Sequence, residues 1–267
     1  MFEIDASVLT HMGKVRTNNE DSVTFVRPNA AEARKSHGVL AVVADGMGGH
    51  EAGELASKLA AEGIARGYYR SCATPPEALA DAFREANREI FETSAKDPGL
   101  KGMGTTCVAA AILDDLAWWA WVGDSRLYLL RRGRIYRMSE DHTVVHEMVR
   151  RGLLTAEEAH CHPERSALAR AMGTRESIEL AVGAQPIHLA DGDRLLLCSD
   201  GLHDLLTDEE IAEYAGETLV AASAERLLLL ALERGGFDNI SIVLLEAKLE
   251  SEVVKKPASI TREHVCE

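Results

Sequence analysis

Three apolar runs in this chain end in the same way. Leu40-Ala-Val-Val-Ala runs into Asp45-Gly46, Ala117-Trp-Trp-Ala-Trp-Val-Gly into Asp124-Ser125, and Leu195-Leu-Leu-Cys-Ser into Asp200-Gly201. A continuous apolar run fits a strand covered on both faces. One further acid and one acidic pair sit at strand boundaries: Asp238 opens the strand in FDNISIVLL, and Glu20-Asp21 leads into SVTFV. Carboxylates held at strand ends can converge on one rim of a sheet. Converging carboxylates repel and need either protons or cations, and hard divalent cations favour oxygen ligands. A lone Asp-Gly after a strand is ordinarily a turn. Five such acids, none beside a basic residue in sequence, leave a metal cluster and a set of turns both open.

The remaining pattern places these runs in a layered fold. Strands are predicted at 39–44, 105–113, 116–122, 126–130, 134–137, 178–185, 194–199 and 240–246, with hairpin turns at Asp114-Asp115 and Arg132-Gly133. Leu55, Leu59, Ile64 and Tyr68 mark one face of a helix over 51–69, beside the small residues Ala56, Ala60 and Gly63. Pro75-Pro76 opens a second helix carrying Leu79, Phe83, Ala86 and Ile90. A third covers 219–234 and stops at Gly235-Gly236, and shorter pieces are expected at 141–151 and 155–160. Clustered strands with separate helix pairs argue for packed sheets flanked by helices, not for a βαβ barrel. One domain is expected over 1–249, with a frayed tail over 250–267.

Composition narrows the function classes. The 43 Asp+Glu against 29 Lys+Arg give a net charge of −14, which disfavours nucleic acid and anionic membrane as partners. No apolar run reaches the ~18 residues needed to span a bilayer. The start, MFEIDASVLTHMGKV, lacks the pattern of a secretory signal. Five scattered cysteines, Cys72, Cys107, Cys161, Cys198 and Cys266, form no CxxC pair and favour a reducing compartment. A cytoplasmic location is expected.

The loop Asp45-Gly46-Met47-Gly48-Gly49-His50 is neither a Walker A loop nor a dinucleotide fingerprint. It suits a cation whose ligands include a backbone carbonyl. Arg16, in GKVRTNNED, is the natural anion partner because guanidinium presents a planar fork to phosphate oxygens, although taken alone it reads as a solvated surface arginine. His142 and His146 lie one helical turn apart, but Thr143 stands where a zinc protease needs Glu. His160-Cys161-His162 reads as loop, and Trp118, Trp119 and Trp121 as strand packing.

GKVRTNNED, VVADGMGGHEAGELAS, GTTCVAA, VGDSRLYLLRRGRI, SEDHT, LLLCSDGLHDLL and DNISIVLL occur in the order seen in the metal-dependent Ser/Thr protein phosphatases of type 2C (the PPM family), and the chain resembles the bacterial branch from about 6 to 246. The resemblance implies an α+β, four-layer αββα sandwich: two central, mostly antiparallel sheets, each flanked by a helix pair. It implies two Mn²⁺ or Mg²⁺ ions, with a third, weaker site. Asp45 would bridge the two ions, with the Gly46 carbonyl on one of them and Asp200 and Asp238 completing the other. Asp21 would act mainly through ordered water, with Glu20 nearby. Asp124 with Asp200 would form the third site, Arg16 would hold the substrate phosphate, and Asn239 would support Asp238. Ions about 3.5–4 Å apart share and activate a water. The implied reaction is direct attack of that metal-bridging hydroxide on phosphoserine or phosphothreonine. Animal members carry His after the first Asp-Gly; here Met47 leaves protonation of the leaving group to a metal-bound water or, second, to His50. A flap is implied over about 147–175, where His162, Arg165 and Arg170 would meet a phosphoprotein. The implied partners are phosphorylated proteins, among them a Ser/Thr kinase that this enzyme would oppose. The competing readings are a phosphoprotein-binding regulator without turnover and a hydrolase of small phosphate esters.

Overall fold

The computed structural model describes residues 2–49, 51–217 and 219–249; His50, Cys266 and the predicted tail lie outside the described residues. The chain opens with β1 (Phe2–His11), β2 (Asp21–Val26), the short helix α1 (Ala31–His37) and β3 (Val39–Met47). Helices α2 (Glu51–Arg70) and α3 (Pro75–Lys96) follow. Next come β4 (Gly104–Thr105), β5 (Cys107–Leu113), β6 (Leu116–Val122), β7 (Arg126–Arg131) and β8 (Arg134–Arg137). Two short helices, α4 (Val144–Arg150) and α5 (Ala156–His160), precede the two-residue strands β9 (Ala181–Val182) and β10 (Ile187–His188). The chain continues with β11 (Arg194–Cys198), α6 (Asp200–His203), α7 (Asp208–Ala215), α8 (Val220–Glu233) and β12 (Ile240–Leu249).

One sheet has the order β1-β12-β11-β7-β8, the other β10-β6-β5-β3-β2, with β9 on β6 and β4 on β3. The strand pairs are antiparallel. Alternation within each apolar run explains why the runs have no polar side. Ala41 and Val43 face Leu195, Leu197 and Val243 of the opposite sheet. Leu40, Val42 and Ala44 turn outward under α2 and α3. Leu196 and Cys198 turn outward under α7 and α8. Both faces of both sheets are thus covered, which is the expected four-layer sandwich. Ala56 and Ala60 on α2 are fully buried, and a Cβ on Gly63 would meet the Ala86 Cβ at 3.2 Å, so small residues set how closely α2 and α3 approach. The hairpin turns fall where predicted: Asp114 (φ 56°), Arg132 (φ 52°) and Gly133 (φ 71°) take left-handed backbone in the two-residue loops β5–β6 and β7–β8.

The structure corrects several sequence expectations. The strand predicted over 178–185 is reduced to Ala181–Val182. Gly183 lies against the Trp119 ring, where a Cβ would come within 2.5 Å, and Pro186 has no N–H to continue a ladder. The strand predicted from 105 is interrupted at Thr106, whose N–H turns to the Asp45 carbonyl at 2.9 Å. Elements at 2–11, 31–37 and 200–215 were not predicted, and β1 there forms an edge of its sheet, paired along its whole length with β12.

Candidate active site

Asp21 is the first residue of β2 and pairs directly across the ladder with Asp45 on β3. Like charges in that position repel. The opposite sheet contributes Asp200, at the step from β11 into α6, and Asp238, two residues before β12. Asp124 comes from the turn between β6 and β7. Ser199 clasps the two sheets: its Oγ donates to Asp21 Oδ2 at 2.8 Å and accepts from the Ser241 N–H at 3.0 Å. Acids from both sheets therefore meet at one end of the sandwich. Asp45, Asp124, Asp200 and Asp238 line a cleft of about 870 Å³ together with Arg16, Glu20 and Gly46. Asp21 lies beneath them, 7% exposed.

Electrostatically this rim is unbalanced. Burial, and then the charges of Asp21, Asp200, Asp124 and Asp238, push the Asp45 carboxyl well above its ordinary range. Burial, followed by Asp124 and Asp238, does the same to Asp200. Asp21 and Asp124 are also raised, chiefly by burial. Asp21 Oδ1 and Asp200 Oδ1 are buried with no hydrogen-bond partner. An unpartnered buried carboxylate oxygen is costly, and a hard cation relieves both the missing partner and the repulsion. The donors are all oxygen, as Mn²⁺ and Mg²⁺ prefer. Among the described residues, no group of three or more acidic, histidine or cysteine side chains forms a cage by itself. A cation here would complete its shell with water and backbone carbonyl, as Mg²⁺ commonly does.

Polar side chains hold this geometry. Thr105 Oγ1 donates to the Asp45 carbonyl at 2.8 Å. A Cβ on Gly46 would lie 2.0 Å from the Gly53 carbonyl oxygen, so that position requires glycine, and one on Gly53 would displace the Glu20 carboxylate, whose Oε2 would lie 1.8 Å away. Asn239 Nδ2 donates to the Met12 and Asn18 carbonyls, at 2.9 Å each, and its Oδ1 accepts from the Glu20 N–H at 2.7 Å. Its side chain therefore fastens the loop that carries Arg16. Asn239 supports Asp238 through its backbone, whose N–H donates to Asp238 Oδ1 at 2.8 Å. The five acids are also not all without a basic partner: Arg16 Nη2 donates to Asp238 Oδ2 at 2.7 Å across 222 residues of sequence.

The segment expected to form the flap divides between two sides. Arg165, Ser166 and Leu168 line the acidic cleft, with Arg165 3.4 Å from Asp204. Arg170 turns away to Glu147 and Glu179, and His162 accepts a hydrogen bond from the Glu164 N–H within its own loop. His142 accepts from the Gly123 N–H and stacks on Trp121, and burial brings it down to about 4. It is a neutral structural group near Asp124. Trp119 and Trp121 donate to the Met138 and Glu140 carbonyls. Ser199, Thr105, Gly53 and His203, whose Nε2–H donates to the Asp124 carbonyl at 3.0 Å, were not singled out from sequence. Ser199 lies inside the Ser-Asp-Gly step already noted, so its place beside Asp200 was the available signal.

Comparison with known proteins fits this architecture. The sequence profile described as Protein phosphatase 2C matches residues 14–233. The Serine/threonine protein phosphatase PstP of Mycobacterium tuberculosis is 41% identical over 237 residues, covering 88% of this chain and 43% of PstP. The chain thus spans less than half the length of that relative. Protein phosphatase PhpP of Streptococcus pneumoniae is 32% identical over 251 residues, covering 92% of this chain and 99% of PhpP. A crystal structure of the Mycobacterium tuberculosis serine/threonine phosphatase PstP/Ppp superposes with a TM-score of 0.82 at 37% identity, covering 93% of this chain and 100% of that one. The catalytic domain of PstP in complex with two manganese ions superposes with a TM-score of 0.79 at 36% identity, with the same coverage. The chain belongs to the protein phosphatase 2C family.

Proposed function

We propose that residues 1–249 form one catalytic unit, a metal-dependent protein-serine/threonine phosphatase that acts on phosphorylated proteins and opposes a Ser/Thr kinase in cytoplasmic signalling. The observation that carries this reading is the pair of buried, unpartnered oxygens on Asp21 and Asp200, in an all-oxygen rim that Arg16 borders. Asp21, Asp45, the Gly46 carbonyl, Asp200 and Asp238 would hold two Mn²⁺ or Mg²⁺ ions, and Asp124 with Asp200 a third. Bound there, the ions supply Lewis-acid activation of water and positive charge against the phosphoryl oxygens.

The chain's own residues supply positioning. The Asp21–Asp45 ladder pair and the Ser199 clasp fix acids from two sheets relative to each other. Arg16 is half-exposed and stays charged beside Asp238, so its guanidinium can exchange part of that contact for phosphate oxygens entering the cleft. Thr105 and the Thr106 N–H anchor the Asp45 carbonyl and so hold the strand end rigid. The Met47 thioether has no proton to give, so the leaving oxygen would take its proton from water held in the cleft or, second, from His50, which lies outside the described residues. Among the described residues no helix is long and apolar enough to cross a membrane. The test is hydrolysis of a phosphothreonine peptide with Mn²⁺, with EDTA, and with neither. Release of phosphate only with Mn²⁺ is expected. Turnover in EDTA would refute metal dependence, and binding without turnover would favour a regulator. Faster hydrolysis of nucleotide monophosphates than of the peptide would favour a small-ester hydrolase.

A further inference from the structure

A second cleft, of about 730 Å³, lies behind the flap segment, between α4 and residues 169–179. Its charge is opposite to that of the molecule. Arg150, Arg151, Arg170 and Arg175 line it, against Glu147 and Glu179. Glu147 is shared by three guanidinium groups, Arg150 at 2.8 Å, Arg170 at 3.1 Å and Arg151 at 3.8 Å. Glu179 lies 3.3 Å from Arg170. Arg175 is exposed and makes no ion pair among the described residues. Four cations against two carboxylates leave an excess of positive charge in a chain whose net charge is −14. An acidic protein that gathers arginines around an open hollow provides a local anion site.

The position of the cleft relates it to the active site. Leu168 lines the acidic cleft and Ala169, the next residue, lines the arginine cleft. The two clefts thus meet the same stretch of backbone at successive residues, and the Ala169 N–H pins that stretch to the His142 carbonyl at 2.8 Å. A polypeptide advances roughly 3.3–3.6 Å per residue when extended. A substrate chain with one residue in the acidic cleft can therefore place a near neighbour over the arginines. We propose that the arginine cleft receives an acidic or phosphorylated residue of the protein substrate that flanks the scissile phosphoresidue, and so sets sequence preference. The inference rests on the phosphatase reading above.

The experiment compares two phosphothreonine peptides, one with neutral flanks and one with glutamates on both sides, in the native protein and in the double variant Arg150→Ala/Arg175→Ala. Both side chains are exposed and outside the acidic cleft, so the variant is expected to fold and to keep its rate on p-nitrophenyl phosphate. The native protein should favour the acidic peptide about 3- to 10-fold in kcat/KM, through KM. The double variant should lose that preference while handling the neutral peptide as before. The preference should also fade at ~1 M salt, where the Debye length is ~3 Å. Equal kcat/KM for the two peptides in the native protein, or a preference that survives in the variant, overturns the proposal. If neither peptide is hydrolysed with Mn²⁺, the phosphatase reading fails by itself. Fluorescence anisotropy of the two labelled peptides then decides the cleft: tighter acidic-peptide binding lost in the double variant supports it, and equal binding refutes it.

Discussion

Asp200 and Asp141 border the same hollow of about 310 Å³ between the flap and α6, yet the fold treats their charges in opposite ways. Asp141 accepts two hydrogen bonds from Arg126, at 3.0 and 2.7 Å, and also pairs with Arg137. Burial pushes it upward, but the two guanidinium groups outweigh that and bring it down to about 2. Asp200 is buried beside Asp124 and Asp238, keeps one oxygen without a partner and is pushed upward. The same contrast holds elsewhere: buried Arg194 meets buried Glu246 at 2.9 Å, and Arg131 meets Asp193. This chain balances buried charge wherever charge serves structure. Among the described residues uncompensated buried acid is concentrated at the rim, which supports the proposed cation site there.

The same substitution at the two positions should therefore give opposite results. Asp200→Asn is expected to lower kcat on a phosphothreonine peptide on the order of 10³-fold in Mn²⁺. It should leave the metal-free melting temperature unchanged or raised, because it removes repulsion. Near-native activity would take Asp200 out of the metal site. Asp141→Asn should instead cost about 3 kcal/mol of stability, since it leaves Arg126 without its counter-charge. Denaturant melts of the two variants provide the check. The pH dependence has a definite sign. Asp141 is lower in the folded state than its ordinary 3.8, so its contribution is present above about pH 4 and is lost as pH falls towards 2. The Asp141→Asn variant should show a shallower loss of stability in that window, and an unchanged slope would contradict the pairing.

Cation addition should sharpen the contrast. A ligand bound only by the folded state stabilises it by about 2.7 kcal/mol at 100 times its dissociation constant. Mn²⁺ should raise the melting temperature of the native chain and of Asp141→Asn alike, reversibly with EDTA, and should do so much less in Asp200→Asn. An equal Mn²⁺ shift in all three would place the ion elsewhere.

How far the sequence revealed this follows from what each residue does. Asp45, Asp124, Asp200 and Asp238 were legible because each ends or opens an apolar run, and strand boundaries are where rigid placement and solvent access coincide. Pairings across the chain were not legible. Nothing near Arg16 announces Asp238, 222 positions away, and nothing near Asp21 announces Ser199. The two sheets were readable from runs apolar on both faces. The edge strand β1 was missed because half of its residues are polar and meet solvent, and helix α6 because four residues are too few to show a helical period, whereas α7 had a start signal in Thr207 with Glu210 three residues on. Gly53 looked like an ordinary helix residue, and only the structure shows the Glu20 carboxylate packed over it, where a side chain would displace it.

Ser199 offers the finest test of the rim, because it touches an acid and both sheets while carrying no charge. It is fully buried. Its backbone N–H already bonds the Ser241 carbonyl at 3.1 Å, so Ser199→Ala keeps the alignment of the strands. What disappears is the hydroxyl donor to Asp21 and the acceptor for the Ser241 N–H. Losing one partner of a buried hydrogen bond costs about 1–3 kcal/mol. Loss of a group that orients a metal-binding carboxylate typically costs 10–100-fold. The expected result is a roughly 10-fold fall in activity, with half-saturation moved to higher Mn²⁺ and only a modest loss of melting temperature. If activity falls while the Mn²⁺ requirement stays where it was, Ser199 holds the sheets together and nothing more. If the Mn²⁺ requirement moves while the melting temperature does not, its principal task is to aim Asp21.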